Sequence, residues 1–221
     1  MRALARPDSG PVALAVVGTL AGGRLSAILK RFVTEHPGVD LSLRTATSAE
    51  VSSLIRRGEA TIGLRFDFDG SRDLDCELLF TEPLQVVCAP DHALAGRRVA
   101  KLADLRDERW IGFPEVPGRR EIAASHILAL FQTRGLGDIA WTPVDSLTAQ
   151  KRLVEASLGI ALLSESHAAE EMKYGTISTI GVRDLKASHD VVTVTRRGGF
   201  LSAAARKLLE IVRKEYRGTR S

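Results

Sequence analysis

Apolar and polar positions alternate along this chain in a way that predicts strand and helix by turns. Val12 to Val17 is a short apolar run, the pattern of a strand buried on both faces. Leu25, Ile28, Leu29 and Phe32 then recur at helical spacing, with Arg24, Lys30, Arg31 and Glu35 on the other side. The spacing predicts a helix over Leu20–Glu35, stopped at His36 because Pro37 follows. Val39–Thr45 alternates as a strand, and Thr47-Ser48-Ala49-Glu50 is a capping-box pattern. The helix it opens carries Val51, Leu54 and Ile55 on one side and ends at Arg56-Arg57-Gly58. Thr61–Phe66 is a third strand, so the opening third reads strand, helix, strand, helix, strand. That order predicts an α/β fold with a largely parallel sheet.

The remainder continues in the same vein. Leu78–Phe80 and Leu84–Ala89 read as two strands separated by Pro83, followed by a turn over Pro90–Gly96. Val99–Leu105 is a polar segment with a short helical period, Trp110–Phe113 a strand, and Arg120–Gly135 an amphipathic helix with Ile122, Ile127, Leu130 and Phe131 inward. Trp141–Val144 is a strand, Leu147–Leu158 a helix opened by Asp145-Ser146 and closed by Gly159, and Ile160–Leu163 a strand. Val191–Thr195 is the last strand, and Ser202 caps a final helix with Ala205, Leu208, Leu209 and Val212 on its apolar side.

Bulk properties narrow the class. At 221 residues the chain can bury a real core as one large domain or two smaller ones. No apolar run is long enough for a transmembrane helix. Met1–Gly10 reads as a flexible leader without the apolar centre of a signal peptide, which predicts a cytoplasmic location. The two cysteines, Cys76 and Cys88, lie in apolar surroundings and fit buried free thiols in a reducing compartment. A net charge of +4 is spread along the chain, its arginine doublets far apart, which favours anionic ligands or contacts near nucleic acid but does not make a DNA-binding stripe.

The candidate chemistry is correspondingly that of binding. Gly18 and Thr19 sit where the first strand turns into its helix, a place that gathers free backbone N–H groups, a hydroxyl and the positive end of a helix dipole. Ligands of such sheets lie beyond the carboxyl ends of the strands, and both Thr19 and Ser48 fall there. The alternative role for each hydroxyl is to cap its own helix. Ser164-Glu165-Ser166-His167 places nucleophile and base types together, without a nucleophile elbow or an orienting acid. The five histidines are isolated from one another, which argues against a metal site, and no glycine-rich phosphate loop or other cofactor signature is present.

An ordered set of landmarks adds to this reading. Leu41-x-Leu43, Ser48-x-Glu50-Val51, Leu54-Ile55 and Gly58 resemble the first half of the effector-binding domain of LysR-type transcriptional regulators. Leu84–Ala95 is similar to that family's strand and His-Pro-Leu-Ala turn, with Ala93 in the proline position. Leu102-Ala-Asp-Leu105 with Trp110-Ile111 follows, then Leu153–Leu163, similar to a Leu-Val-Ala-Ala-Gly-Leu-Gly-Ile-Ala-Leu-Leu-Pro run, and Ser202–Arg206. The family's Leu-Asp-Leu-Ala-Ile strand is here Ala60-Thr-Ile-Gly-Leu64, and its proline after Ile-Ala-Leu-Leu is Ser164. The resemblance runs from about Pro11 to Tyr216.

The resemblance implies two Rossmann-like lobes joined by two crossover strands, the type 2 periplasmic-binding-protein-like architecture. Residues 1–10 would be the leader, 11–84 plus 196–221 the first lobe and 85–195 the second. It implies a small effector in the interlobe cleft, held by Thr19 and Ser48 from the first lobe, and by Ser146 and the loop Pro114–Arg120 from the second. Arg119 or Arg120 would supply a bidentate clamp for a carboxylate or other anion. It further implies a homodimer, with a tetramer as the larger assembly of a full-length regulator. The helix Leu20–Glu35 would meet the partner's Arg120–Gly135, and Arg31 and Arg134 would be sensitive positions. DNA would be contacted only through an N-terminal winged helix-turn-helix, for which nothing before Pro11 provides. A stand-alone solute-binding protein of the same fold is the alternative, and an enzyme on this scaffold is the reading least supported.

Overall fold

The computed structural model describes residues 9–114 and 122–217. The chain opens with β1 (Gly10–Val17), a 3-10 turn over Gly18–Leu20, and α1 (Gly23–Glu35), which buries Leu25, Ile28 and Phe32. β2 (Val39–Ala46) and α2 (Ser48–Arg56) follow, then β3 (Ile62–Phe66), every residue of which is buried. The capping box at Thr47 is complete: Thr47 Oγ1 accepts the Glu50 N–H and the Glu50 carboxylate accepts the Thr47 N–H at 2.8 Å. α2 stops where Gly58 turns to φ 70°.

The predicted break at Pro83 does not occur, and β4 runs unbroken over Leu74–Cys88. Pro83 is exposed and lies just before the ladder that begins at Leu84, so its missing N–H interrupts no pairing. Next come β5 (Arg98–Val99), a 3-10 turn over Leu102–Leu105, and β6 (Arg109–Gly112). α3 (Ile122–Thr133) and β7 (Ala140–Pro143) then lead to α4 (Leu147–Glu155). α4 ends earlier than the sequence predicts: Ser157, not Gly159, takes the left-handed conformation, at φ 58°. After β8 (Ile160–Ser164), two elements missing from the sequence reading appear, α5 (Glu165–Tyr174) and β9 (Ser178–Val182). β10 (Ser188–Arg196) and α6 (Ala203–Arg217) complete the chain, with Ser202 Oγ accepting the Ala205 N–H.

The chain divides into two compact units, Met1–Thr81 with Asp190–Ser221, and Glu82–His189. Two strands, β4 and β10, run from one unit into the other, and the division falls within both. In the first unit β1 pairs in parallel with β2 and with β3, and β3 pairs antiparallel with β10. α2 packs close against β3, where a side chain at Gly63 would meet Val51 Cγ1 at 2.8 Å. α6 is held beside α1 by Arg24, whose guanidinium lies 4.2 Å from the Tyr216 ring centre and donates to the Glu215 carbonyl at 2.5 Å.

In the second unit β6 pairs in parallel with both β7 and β8, and β4 pairs antiparallel with β8 and β9. Trp110 is fully buried there, edge-on to Phe131 at 4.6 Å, with its indole N–H on the Leu105 carbonyl. Leu102, Leu105, Ile160 and Leu162 complete this core, and Ile127 and Leu130 of α3 pack against it.

Candidate functional site

Parallel pairing of β1 and β2 puts their carboxyl ends side by side, with Val17 opposite Ala46. Each strand is followed two residues later by a hydroxyl, Thr19 and Ser48. This is the rim at which an open α/β sheet presents ligand groups. Thr19 lies in the 3-10 turn rather than at a helix cap: α1 starts from Gly22, and no side chain caps it. Its Oγ1 is shielded from solvent and has no hydrogen-bond partner among the described residues. A buried hydroxyl left unsatisfied costs about 1–3 kcal/mol, so the arrangement is one that a ligand improves.

Ser48 is the first residue of α2 and is fully buried. Thr47 is the capping residue, and Ser48 stands in the first turn at the positive end of the helix dipole. Ser146 has the role that competes with binding. It is the N-cap of α4, and its Oγ accepts the Ala149 N–H at 3.4 Å. Arg119 and Arg120 lie outside the described residues, as does most of the loop Pro114–Arg120.

α2 is anchored below Ser48 by a charged network. Ser52 is buried one turn further along and accepts a hydrogen bond from Arg65 Nη1 at 2.5 Å. Arg65 also meets Asp69 at 3.0 Å, and Arg56 reaches the same carboxylate at 3.1 Å. Burial pushes the Asp69 carboxyl up, but hydrogen bonds from Ser71 and Ser52 and the charge of Arg56 outweigh it. The group is held well below the usual carboxylate range.

The groups with catalytic potential are placed otherwise. Burial, with the charges of Glu108 and Asp91, pushes the Cys88 thiol up to about 11, so at neutral pH it is not a thiolate nucleophile. Ser164 ends β8, and Glu165, Ser166 and His167 form the first turn of α5. One group the sequence reading passed over belongs here: Glu82 on β4, 3% exposed, with Oε1 accepting the Ser166 N–H at 3.2 Å. Its signal was available. Glu82 shares a strand face with the buried Leu84 and Val86, an acid in an apolar row.

Comparison with known proteins agrees with this picture. The family model for the LysR substrate binding domain matches residues 5–217. The phosphonates import ATP-binding protein PhnC of Anaeromyxobacter dehalogenans is 29% identical over 96% of this chain and 43% of its own length. The transcriptional dual regulator GltC of Bacillus subtilis is 28% identical over 74% of this chain and 54% of its own length. The chain thus spans about half the length of the curated relatives it matches. Among solved structures, the CcmR regulatory domain of Synechocystis PCC6803 in complex with 2-PG superposes with a TM-score of 0.82 at 20% identity, covering 96% of this chain and 99% of that one. The BenM effector-binding domain with its effector benzoate gives 0.77 at 21% identity, covering 96% and 95%. These likenesses establish the periplasmic-binding-protein-like type 2 fold, and no described helix is long and apolar enough to cross a membrane. By the match along nearly its whole length, the chain belongs to the LysR substrate-binding domain family.

Proposed function

We propose that this chain is the effector-sensing and pairing module of a LysR-type transcriptional regulator, and that it binds a small anionic metabolite. The observation that carries the ligand reading is the Thr19 hydroxyl at the carboxyl end of β1, buried and without a hydrogen-bond partner among the described residues. Ser48 and the positive end of α2 follow the neighbouring strand, whose end at Ala46 lies opposite Val17, a combination suited to a carboxylate or oxyanion. That the similar BenM domain takes benzoate, itself a carboxylate, favours the same class here. Arg119, Arg120 and Ser146 are the further ligand contacts we propose. The module acts from the cytoplasm, as transcriptional control requires. It affects DNA only through a helix-turn-helix domain, by binding one conformational state more tightly than another.

Thermal melting against benzoate, succinate, phosphate and sulfate tests the reading, with Thr19→Val and Ser48→Ala beside the wild type. An anion at a hundred times its Kd stabilises by about 2.7 kcal/mol. In a chain of this size that is a shift of about 5–10 °C. The shift is expected to fall to near zero in both variants. Full retention in both would remove the site from this rim.

Pairing through α1 and α3 of two copies is the second part of the proposal. Arg31 and Arg134 are poor probes of it, because each is engaged within its own chain, Arg31 with Glu215 at 2.6 Å and Arg134 with Asp184 at 3.0 Å. Val33, exposed on α1, is the better one. Sedimentation is expected to show a dimer that Val33→Asp shifts toward monomer. A monomer at all concentrations would contradict it.

A further inference from the structure

Arg65 is a buried cation whose bonds account for only part of its guanidinium. Its side chain is 3% exposed, and Nη1 meets Ser52 at 2.5 Å and Asp69 at 3.0 Å. Nε donates to the Phe66 carbonyl at 3.1 Å. Nη2, which carries two N–H groups, makes no hydrogen bond among the described residues. Asp69 also accepts from Arg56 and from the Ser71 N–H and hydroxyl, so its carboxylate is shared rather than devoted to Arg65. Donors of a buried cation left unanswered are costly. An apolar residue beneath α2, with no acid at position 69, would avoid that cost.

The pairing of β3 shows which way the unanswered donors face. β3 lies between β1 and β10, and the Asp67 N–H reaches the Asp190 carbonyl of β10 at 2.8 Å. Across that trans peptide the Phe66 carbonyl points the other way, to the β1 side. Leu64 stands opposite Val16, so the same register carried forward sets Phe66 beside Gly18, where β1 gives way to the turn that holds Thr19. Nε–H and one N–H of Nη2 lie parallel on a single edge of the planar guanidinium. With Nε on the Phe66 carbonyl, that Nη2 donor faces the end of β1. Ser52, bonded to the same guanidinium, is four residues from Ser48 along α2, about 6 Å of helix axis. Thr19, Ser48 and Arg65 all belong to the first unit and to the carboxyl ends of three neighbouring strands, β1, β2 and β3.

We infer that Arg65 Nη2 is the cationic donor of the effector site, reaching it from beneath α2. This rests on the anion-binding reading above and deepens it. A fixed positive charge at that rim selects a carboxylate or oxyanion over a neutral ligand of the same shape. Ser52, Asp69 and Phe66 hold the guanidinium in one orientation, so its free edge receives the ligand without rearrangement.

Neutral isosteres test the inference by isothermal titration: benzoate against benzamide, and succinate against succinamide. Wild-type protein is expected to bind the anion of at least one pair at least tenfold more tightly than its amide. The variant Arg65→Met, Asp69→Ala removes the donor together with its counter-ion, and its unliganded melting temperature shows whether it folds. In this variant the preference is expected to fall to within threefold, the anion losing affinity and the amide keeping its own. A preference that survives there overturns the inference and leaves the anion site standing. Equal weakening of anion and amide also overturns it, since Arg65 would then only support α2. A second measurement needs no variant: the Nη resonances of Arg65 in the wild type, followed by nitrogen-15 NMR, are expected to shift as the anion is titrated in, with the ligand's own affinity. Resonances unmoved at saturation overturn the inference. No binding of benzoate, succinate, phosphate or sulfate by the wild type overturns both readings together.

Discussion

Replacing Asp69 by alanine is expected to destabilise the protein by about 3–5 kcal/mol, the cost of leaving a buried charge without its partner. Arg65 is only 3% exposed, and Asp69 is the carboxylate that meets it. Ser52 cannot take its place, since a hydroxyl solvates the guanidinium without neutralising it. At 2–4 °C per kcal/mol for a chain of this length, the melting temperature falls by about 10 °C. The double replacement Arg65→Met, Asp69→Ala removes both charges and is expected to recover more than half of the loss. A single variant that melts within 3 °C of wild type would show that the network contributes nothing.

The same carboxylate sets an acid limit. Its pKa is lower in the folded chain than the ordinary value of about 3.9 that it has when unfolded. Over the interval between the two, the unfolded chain binds the extra proton and the folded chain does not. The contribution is therefore complete above about pH 4 and is lost as pH falls further. Wild-type melting temperatures measured from pH 6 down to pH 3 should fall more steeply than those of the double variant. Parallel slopes would assign the acid sensitivity to other carboxylates.

Gly159→Ala is the second large effect expected, about 3 kcal/mol and on the order of 6–12 °C, at the upper end of overpacking costs. β8 runs beside β6 with Ile160 opposite Trp110, and a side chain at 159 would come within 2.4 Å of the Arg109 carbonyl oxygen. That oxygen belongs to backbone, so relief requires the strands to separate. Leu158→Ala, one residue earlier and well exposed, is the control and should stay within about 0.5 kcal/mol. A Gly159→Ala loss as small as the control's would mean that β6 yields freely.

The same position shows how sequence and structure part company. Gly159 was read as the stop signal for α4, since glycine after an apolar helical run usually is one. Its role is instead close approach between strands. The stop is made by Ser157 in a conformation that L-residues disfavour, aided by a hydrogen bond from its hydroxyl to Asp91 at 2.8 Å. Pro83 misled in a related way, because the proline rule concerns an N–H that is needed for pairing, and here none is. α5 went unread since only Ala168 of its ten residues is buried, so it carries almost no periodic apolar signal.

Where local signals were strong, the sequence was sufficient. The apolar run of β1, the Thr47–Glu50 box and the Ser202 cap all depend on neighbours in the chain, and the structure contains each. Thr19 and Ser48 were legible as strand-end hydroxyls for the same reason. Their different circumstances were not: that Thr19 Oγ1 has no partner among the described residues, while Ser48 is fully buried behind the capping Thr47, depends on three-dimensional packing. The hydrogen bond from the Ser166 N–H to Glu82 is likewise a tertiary fact, even though an acid in an apolar strand row was visible beforehand.

Amide chemical shifts followed while the strongest-binding anion of the panel is titrated in test the central claim most directly. The largest changes are expected at Gly18–Leu20 and Thr47–Glu50, with one common affinity for both segments. Saturable binding whose largest changes lie elsewhere, leaving both segments unmoved, would contradict the account.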